Sequence, residues 1–262
     1  MKVATWNVNS IRTRQEHVAA WLQQNPVDVL CLQETKVVDD DFPRVPFEQL
    51  GYCVYVSGQK SYNGVAILSR VPMREVSAGF APILGAIAHS LSPDIDAQKR
   101  LITGVVADVR IVNVYVPNGA AVGGDKYEYK LRWLQVLREY LRALPSVPIC
   151  ICGDFNIALE DRDIHDPAKL TGQIMASELE RQALREILAL GYADAFRKFI
   201  AEAGHYSWWD YRSAAFRRNL GWRIDHHYLT LDLYKQAKSC FIDITPRKLP
   251  KPSDHTPVVV EF

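Results

Sequence analysis

Net charge is nearly absent from this chain. Its 262 residues carry 31 Lys and Arg against 30 Asp and Glu, a formal balance of +1, so charge alone names no polyanion as partner. Long apolar runs are also missing. None approaches the roughly 20 residues of a membrane span. The opening MKVATWNVNS turns polar at once, unlike a secretory leader, and the expectation is a cytoplasmic protein with no membrane partner. Cysteine is scarce and odd in number, five in all, which fits no disulfide framework. Cys31, Cys150 and Cys152 fall within apolar, strand-like runs, where a free thiol acts as a small hydrophobe. Cys150 and Cys152 share one side of a strand but lack the flanking ligands of a zinc site, so reduced thiols are expected. There is no P-loop and no GxGxxG, and no GxSxG follows a strand. The common nucleotide-binding and serine-hydrolase motifs are therefore excluded. No linker, low-complexity tract or internal repeat divides the chain, which reads as a single domain over 1–262.

What is present is apolar, β-branched and regularly punctuated. Apolar residues make up 48% of the chain, enough for a sizeable core. The runs VATWNV, VDVLCLQ, YCVYVSG, GVAILS, LITGVVADV, IVNVYV, VPICIC, IDHHYLT, CFIDIT and PVVVEF are nearly continuous, as strands covered on both faces should be. Helical spacing lies between some of them: HVAAWLQQ after the first strand, a stripe of Leu131, Leu134, Leu137, Leu141 and Leu144, and SELERQALREILALGY. In the last of these, Ser177 and Glu180 form a candidate capping box. VATWNVNS, a helix and VDVLCLQET echo IVNVYVPNG, a helix and VPICICGDFN. The echo predicts an α/β fold with two related sheets packed face to face and polar loops gathered at one edge.

Those loops carry the chemistry. Asn7 and Asn9 follow the first strand, Glu34 the second, and Tyr115 and Asn118 lie in VYVPNG. Asp154 and Asn156 lie in GDFN, Asp225 in WRIDHHY, and Asp254 and His255 precede the last strand. An isolated Asn or Asp at a strand end is ordinary turn chemistry; the joint set can make a site for phosphodiester hydrolysis. Glu34 and Asp254 are oxygen ligands suited to Mg²⁺ or Mn²⁺. Asn7, Asn156 and Tyr115 can donate to phosphate or to the attacking oxygen. Asp154 can take a proton from water, and His255 becomes a strong phosphate donor if Asp225 keeps it charged. Residues 197–252 hold 11 Lys or Arg against 5 Asp or Glu, a surplus of 11 − 5 = 6, leaving +1 − 6 = −5 elsewhere. That segment, with Arg212, Arg217, Arg218 and Lys248, reads either as a nucleic-acid footprint or as a solvated basic face. His226 and His227 should face opposite sides of their strand, one of them into core. EDRDIHDP reads as a surface loop, lacking the glycine and terminal glutamate of an EF-hand.

In sequence order, TWNVNSIR, LCLQETK, NGVAILSR, NVYVPNG, GDFNIA, DIHDP, GYADAFR, YSWWDYR, GWRIDHH and SDHTPV resemble the exonuclease III family of DNA-repair nucleases. These are the family-1 abasic endonucleases of the endonuclease/exonuclease/phosphatase superfamily. The resemblance spans nearly the whole chain. It implies a four-layer α/β sandwich of two mixed β-sheets with helices outside, and 3′–5′ exonuclease or abasic-site endonuclease activity on double-stranded DNA. It also implies a monomer working on the bacterial nucleoid, and a metal held among Asn7, Asn9, Glu34, Asp154, Asn156 and Asp254. Under it, Asp154 handles the proton, Asn156 stabilises the transition state, Tyr115 and Asn118 contact phosphate, and His255 is a phosphate contact or alternative base oriented by Asp225. Trp208, Trp222 and Ile224 match the wall of a pocket for an extruded abasic sugar, whereas Trp209 reads as core. Two alternatives stay open: a superfamily phosphoesterase for RNA or a small phosphorylated substrate, and an inactive DNA-binding module. The second conflicts with the presence of Glu34, Asp154 and Asp254 together.

Overall fold

The computed structural model describes residues 1–91 and 94–262. Among the described residues, twelve strands form two six-stranded mixed sheets. The first sheet contains β1 (Lys2–Asn7), β2 (Val29–Gln33), β3 (Cys53–Ser57), β4 (Val65–Ser69), β11 (Ser239–Ile242) and β12 (Val258–Glu261), in the order β11-β12-β1-β2-β4-β3. The second contains β5 (Arg74–Ala78), β6 (Leu101–Val106), β7 (Val109–Tyr115), β8 (Ile149–Asp154), β9 (Tyr192–Asp194) and β10 (Asp225–Thr230), in the order β5-β6-β7-β8-β10-β9. Each sheet has one parallel pair, β1 with β2 and β7 with β8. Parallel neighbours need a crossover, and the helices Ile11–Gln24 and Asp125–Ala143 provide them. The internal echo in the sequence is therefore a repeated strand–helix–strand unit, one per sheet.

Three apolar layers follow from this arrangement. Val3, Val29, Cys31 and Ile67 of one sheet pack with Ile111, Cys150, Cys152 and Leu229 of the other. Val18, Trp21 and Leu22 cover the outer face of the first sheet, and Trp133, Leu134, Leu137 and Tyr140 cover that of the second. The leucine stripe is only part of the buried helix face: Leu131 is half-buried, while Trp133 and Tyr140 are fully enclosed. The capping box forms, with Ser177 and Glu180 each bonding the other's backbone N–H.

The loop EDRDIHDP departs from the surface reading. Asp163 within it is fully buried, accepting from Arg223 Nε at 2.7 Å and from Arg197. Arg223 also bridges to Asp194 at 2.7 Å. A buried carboxylate persists only when paired, and its guanidinium partners lie 34 and 60 residues away in sequence, beyond the reach of local pattern. His226 and His227 face opposite sides, and both are buried. Among the described residues all five cysteines are free thiols, and no helix is long and apolar enough to cross a membrane.

Candidate active site

Strand direction gathers the polar residues. β1, β2, β7 and β8 end at the same edge, while β10 and β12 begin there, so Asn7, Glu34, Tyr115, Asp154, Asp225 and Asp254–His255 converge. Register fixes the centre: Tyr115 pairs with Asp154, and Asp154 with Asp225. Asn7 joins the two sheets. Its Nδ2 donates to Glu34 Oε1 at 2.8 Å and to Asp154 Oδ2 at 2.9 Å, while its Oδ1 accepts from the Asn9 backbone at 3.0 Å. Asn7 thus holds two carboxylates with its amide hydrogens. Asp154 also accepts from the Asn156 backbone at 2.9 Å and its amide at 3.2 Å, and Asn118 donates to Asn156 Oδ1 at 2.9 Å. His255 donates from Nδ1 to Asp225 at 2.9 Å, and its Nε2 lies 3.7 Å from Asp154. Asp254 sits on the flank, accepting from Asn9 at 3.0 Å and from Trp208 Nε1 at 3.0 Å. Glu34, Asp154 and His255 offer ligand atoms within 4.8 Å of one another.

Electrostatics separates the roles of these groups. Burial is the main influence on Asp154 and, with Asp225 and Glu34 adding, lifts its carboxyl to about 7 against the pull of His255 and Asn7. Burial would lower His255, but Asp225 and Asp154 outweigh it and raise the imidazole to about 10. A charged imidazole therefore stands beside a carboxylate poised near neutrality, which suits proton transfer. Glu34 is also desolvated, yet Lys36 and the Asn7 hydrogen bond hold it below its ordinary value and keep it ionised. Burial, reinforced by Glu34, pushes the Tyr115 hydroxyl well up, so it remains a donor.

Other expected residues take different places. Trp222 is 6% and Ile224 1% exposed; they pack with Ala158, Ile164, Met175 and Ala176, and only Trp208 of the three is half-buried. Backbone bridges tie Trp208 to Trp222 and to His255. The aromatic wall therefore adjoins the site, but Trp222 also belongs to an apolar cluster. Trp209 is core, as expected. Arg212, Arg217, Arg218 and Lys248 are exposed, and Arg212 folds back on Asp210 at 2.7 Å. The basic surplus is smaller at the surface than in the sequence. Arg223 and Arg247 are buried, and the Arg197 side chain is enclosed against Asp163; of the 11 cations, 11 − 3 = 8 remain for the surface.

Some contributors carry no sequence signal of their own. Lys36 Nζ lies 2.9 Å from Glu34 Oε2 and donates to Asn9. Lys130 is fully buried on the 125–143 helix. It pairs with Glu180 of the capping box and donates to the Asn156 carbonyl at 2.7 Å and the Asn118 carbonyl at 3.2 Å. Arg100 stacks 4.4 Å over the Tyr115 ring and helps line a cleft of about 470 Å³ with Tyr115, Asn118 and Lys126. Helical periodicity places a lysine on a face, but tertiary packing decides what the ammonium meets.

Residues 4–255 match the endonuclease/exonuclease/phosphatase family. The chain belongs to that family. It is 34% identical to exodeoxyribonuclease III of Haemophilus influenzae over 279 aligned positions, covering 100% of both chains. Its fold is similar to that of the 3′ phosphatase NExo from Neisseria, solved with a product DNA hairpin, at TM-score 0.93 and 41% identity over 100% of this chain and 99% of that one. It is also similar to an AP endonuclease from Archaeoglobus fulgidus, at TM-score 0.92 and 40% identity, with the same coverage. The two solved structures align over the whole two-sheet architecture, and the α/β sandwich expected from the resemblance is the fold of this chain.

Proposed function

We propose that this enzyme is a metal-dependent DNA-repair nuclease that hydrolyses phosphodiesters in duplex DNA, at 3′ ends, at abasic sites, or at both. The observation that carries the chemistry is Asp154: buried, fixed by Asn7 and Asn156, and set 3.7 Å from the His255 Nε2. The donor set fits a hard divalent cation. Glu34, Asp154, Asp225 and Asp254 bring four formal negative charges and Lys36 and His255 two positive ones, so −4 + 2 leaves −2 at one edge. All the carboxylate donors are oxygen, as Mg²⁺ and Mn²⁺ prefer. Glu34 and Asp154 would hold the ion, with Asn7 fixing both and Asp254 and Asn9 alongside. When bound, such an ion supplies neutralisation of the charge that gathers on phosphate oxygens.

The protein's own groups divide the remaining work. Asp154 accepts the proton of the attacking water. Asp225 holds the His255 Nδ1–H, which turns the Nε2–H toward the substrate phosphate. Tyr115 and Asn118, at the adjoining cleft, donate to phosphate oxygens, and Asn156 keeps Asp154 in place. One chain supplies every group, so a monomer suffices. Its likeness to a bacterial exodeoxyribonuclease III supports work on chromosomal DNA in a bacterial-type cytoplasm. The test is a purified-protein assay with Mg²⁺ on a duplex carrying one abasic site, beside the same duplex with a recessed 3′ end. Cleavage of either that stops with chelator is expected. No metal-dependent cleavage of both substrates, with RNA or a small phosphate ester cut instead, would overturn the DNA reading.

A further inference from the structure

Below the catalytic edge, between the sheets, lies a second group of ligand-type side chains that the hydrolytic chemistry does not use. Cys150 and Cys152 point inward from β8, and His227 from β10, and their Sγ and ring-nitrogen atoms all lie within 4.8 Å of one another. Cys31 on β2, in the other sheet, stands against Cys152. All four side chains are fully buried. The sequence offers no flanking ligands around Cys150 and Cys152; the fold brings them from two other strands.

The imidazole is oriented for ligation. His227 Nε2 lies 3.0 Å from the Val258 carbonyl. A carbonyl only accepts, so Nε2 carries the hydrogen and Nδ1 presents its lone pair. That lone pair faces Cys150 Sγ at 3.7 Å. A ring nitrogen anchored to a backbone carbonyl, with the other nitrogen turned to a thiol group, is the usual outer arrangement of a metal-bound histidine. Two sulfurs and one nitrogen stand together, and Cys31 beside Cys152 is the candidate fourth ligand of a tetrahedral site for a d¹⁰ ion.

We propose that Cys150, Cys152 and His227, completed by Cys31, form a buried structural site for Zn²⁺ that joins the two sheets. Binding replaces three S–H bonds by three Zn–S bonds and releases three protons, because Zn²⁺ takes cysteine as thiolate. Three thiolates and a neutral imidazole then leave a formal charge of −1, against the +2 of the bare ion. Its position gives it a purpose. β2 carries Cys31 and leads into Glu34; β8 carries Cys152 and ends at Asp154; β10 carries His227 and begins at Asp225. His227 pairs in register with Cys152, two positions from the Asp225–Asp154 pair. The ion would therefore fasten the three strands whose ends carry catalytic carboxylates. It would enter during folding, because the site is enclosed.

The test is metal content of the tag-free protein, expressed with added zinc and dialysed against EDTA, which strips the oxygen-ligand site at the edge. About one zinc per chain is expected, since closed thiolate sites hold the ion tightly. The Cys150→Ala and His227→Leu variants, measured separately so that at least one folds, should retain far less. Refolding wild type with Co²⁺ should give a thiolate-to-cobalt charge-transfer band, which the carboxylate site cannot produce. Wild type that holds no zinc and shows no such band overturns the proposal, as does zinc retained equally by both variants.

Discussion

Replacing Asp154 by Asn should separate stability from catalysis. The wild-type carboxylate is buried and lifted from 3.8 to about 7, so the fold disfavours its ionised form by ~4 kcal/mol. A group raised in this way stabilises the fold fully below its unfolded value, and that contribution is lost as pH rises through about 7. An amide removes this penalty. It also turns an NH₂ toward the Asn156 backbone N–H, while its oxygen still accepts from Asn7 Nδ2 and the Asn156 amide, and an unmet buried hydrogen bond costs roughly 1–3 kcal/mol. The first effect exceeds the second. Measured in chelator at pH 7, where no bound ion favours the carboxylate, Asp154→Asn should unfold at equal or higher denaturant concentration than wild type. The gain should shrink toward pH 4. Turnover with Mg²⁺ should fall roughly 10²–10⁴-fold with the loss of the proton acceptor, while DNA affinity persists. A variant that is clearly less stable at pH 7, or that retains wild-type turnover, would refute the reasoning.

The other expectations test separate parts of the site. Glu34→Gln should raise the Mg²⁺ concentration needed for half-maximal activity, because an amide is a poorer ligand for a hard cation; an unchanged metal titration removes Glu34 from the ligand set. Neutralising Arg212, Arg217, Arg218 and Lys248 together should weaken DNA binding irrespective of sequence. The plot of log affinity against log salt should flatten by about 1 for each phosphate that is no longer neutralised. An identical slope places the DNA elsewhere. Trp222→Ala should cost roughly 3–5 kcal/mol, since the indole is buried, and should reduce the preference for abasic over intact sites in the folded fraction. Preserved preference assigns Trp222 to the core alone. His226 is held neutral, lowered from 6.5 to about 4 chiefly by burial and then by Arg223. Its folded value is depressed, so its contribution is full above about 6.5 and lost as pH falls toward 4, by roughly 3 kcal/mol. His226→Gln, which can accept from Arg223 and donate to the Ile157 carbonyl, should abolish that part of the urea-midpoint dependence on pH.

Strands were readable because their apolar runs are covered on both faces, and the internal echo correctly pointed to two related sheets. The convergence of Asn7, Glu34, Tyr115, Asp154, Asp225 and His255 was also readable, since strand ends in such a fold share an edge. Residues that act through tertiary partners were not. Asp163 reads as a surface acid because Arg223 and Arg197 are distant in sequence. Lys130 reads as one more helical cation, though it ties a capping box to the Asn118 and Asn156 loops. The basic segment overstated the surface charge because Arg223 and Arg247 face inward, Arg247 lying 4.9 Å over the Phe216 ring.

The conformation of Glu34 joins fold and chemistry. It has φ 51°, in the left-handed region, as do Asn9 at 44° and Asn156 at 50°. Asparagine enters this region readily, but a long side chain such as glutamate is uncommon there, and strain of this kind persists only where surrounding structure enforces it. The enforcement here comes from the neighbouring helix. Ser10 at its start makes no side-chain cap, so the first backbone N–H groups need acceptors from outside. The Glu34 carbonyl accepts from the Ser10 N–H at 2.7 Å, and the Thr35 carbonyl accepts from Ile11 at 3.1 Å. Turning the chain left-handed after β2 thus caps the 11–24 helix with backbone and, in the same step, swings the Glu34 carboxylate across to Asn7. The first crossover helix and the acid at the catalytic edge are set by one backbone conformation. A local pattern that marks Glu34 only as a residue after a strand has no means of expressing that coupling.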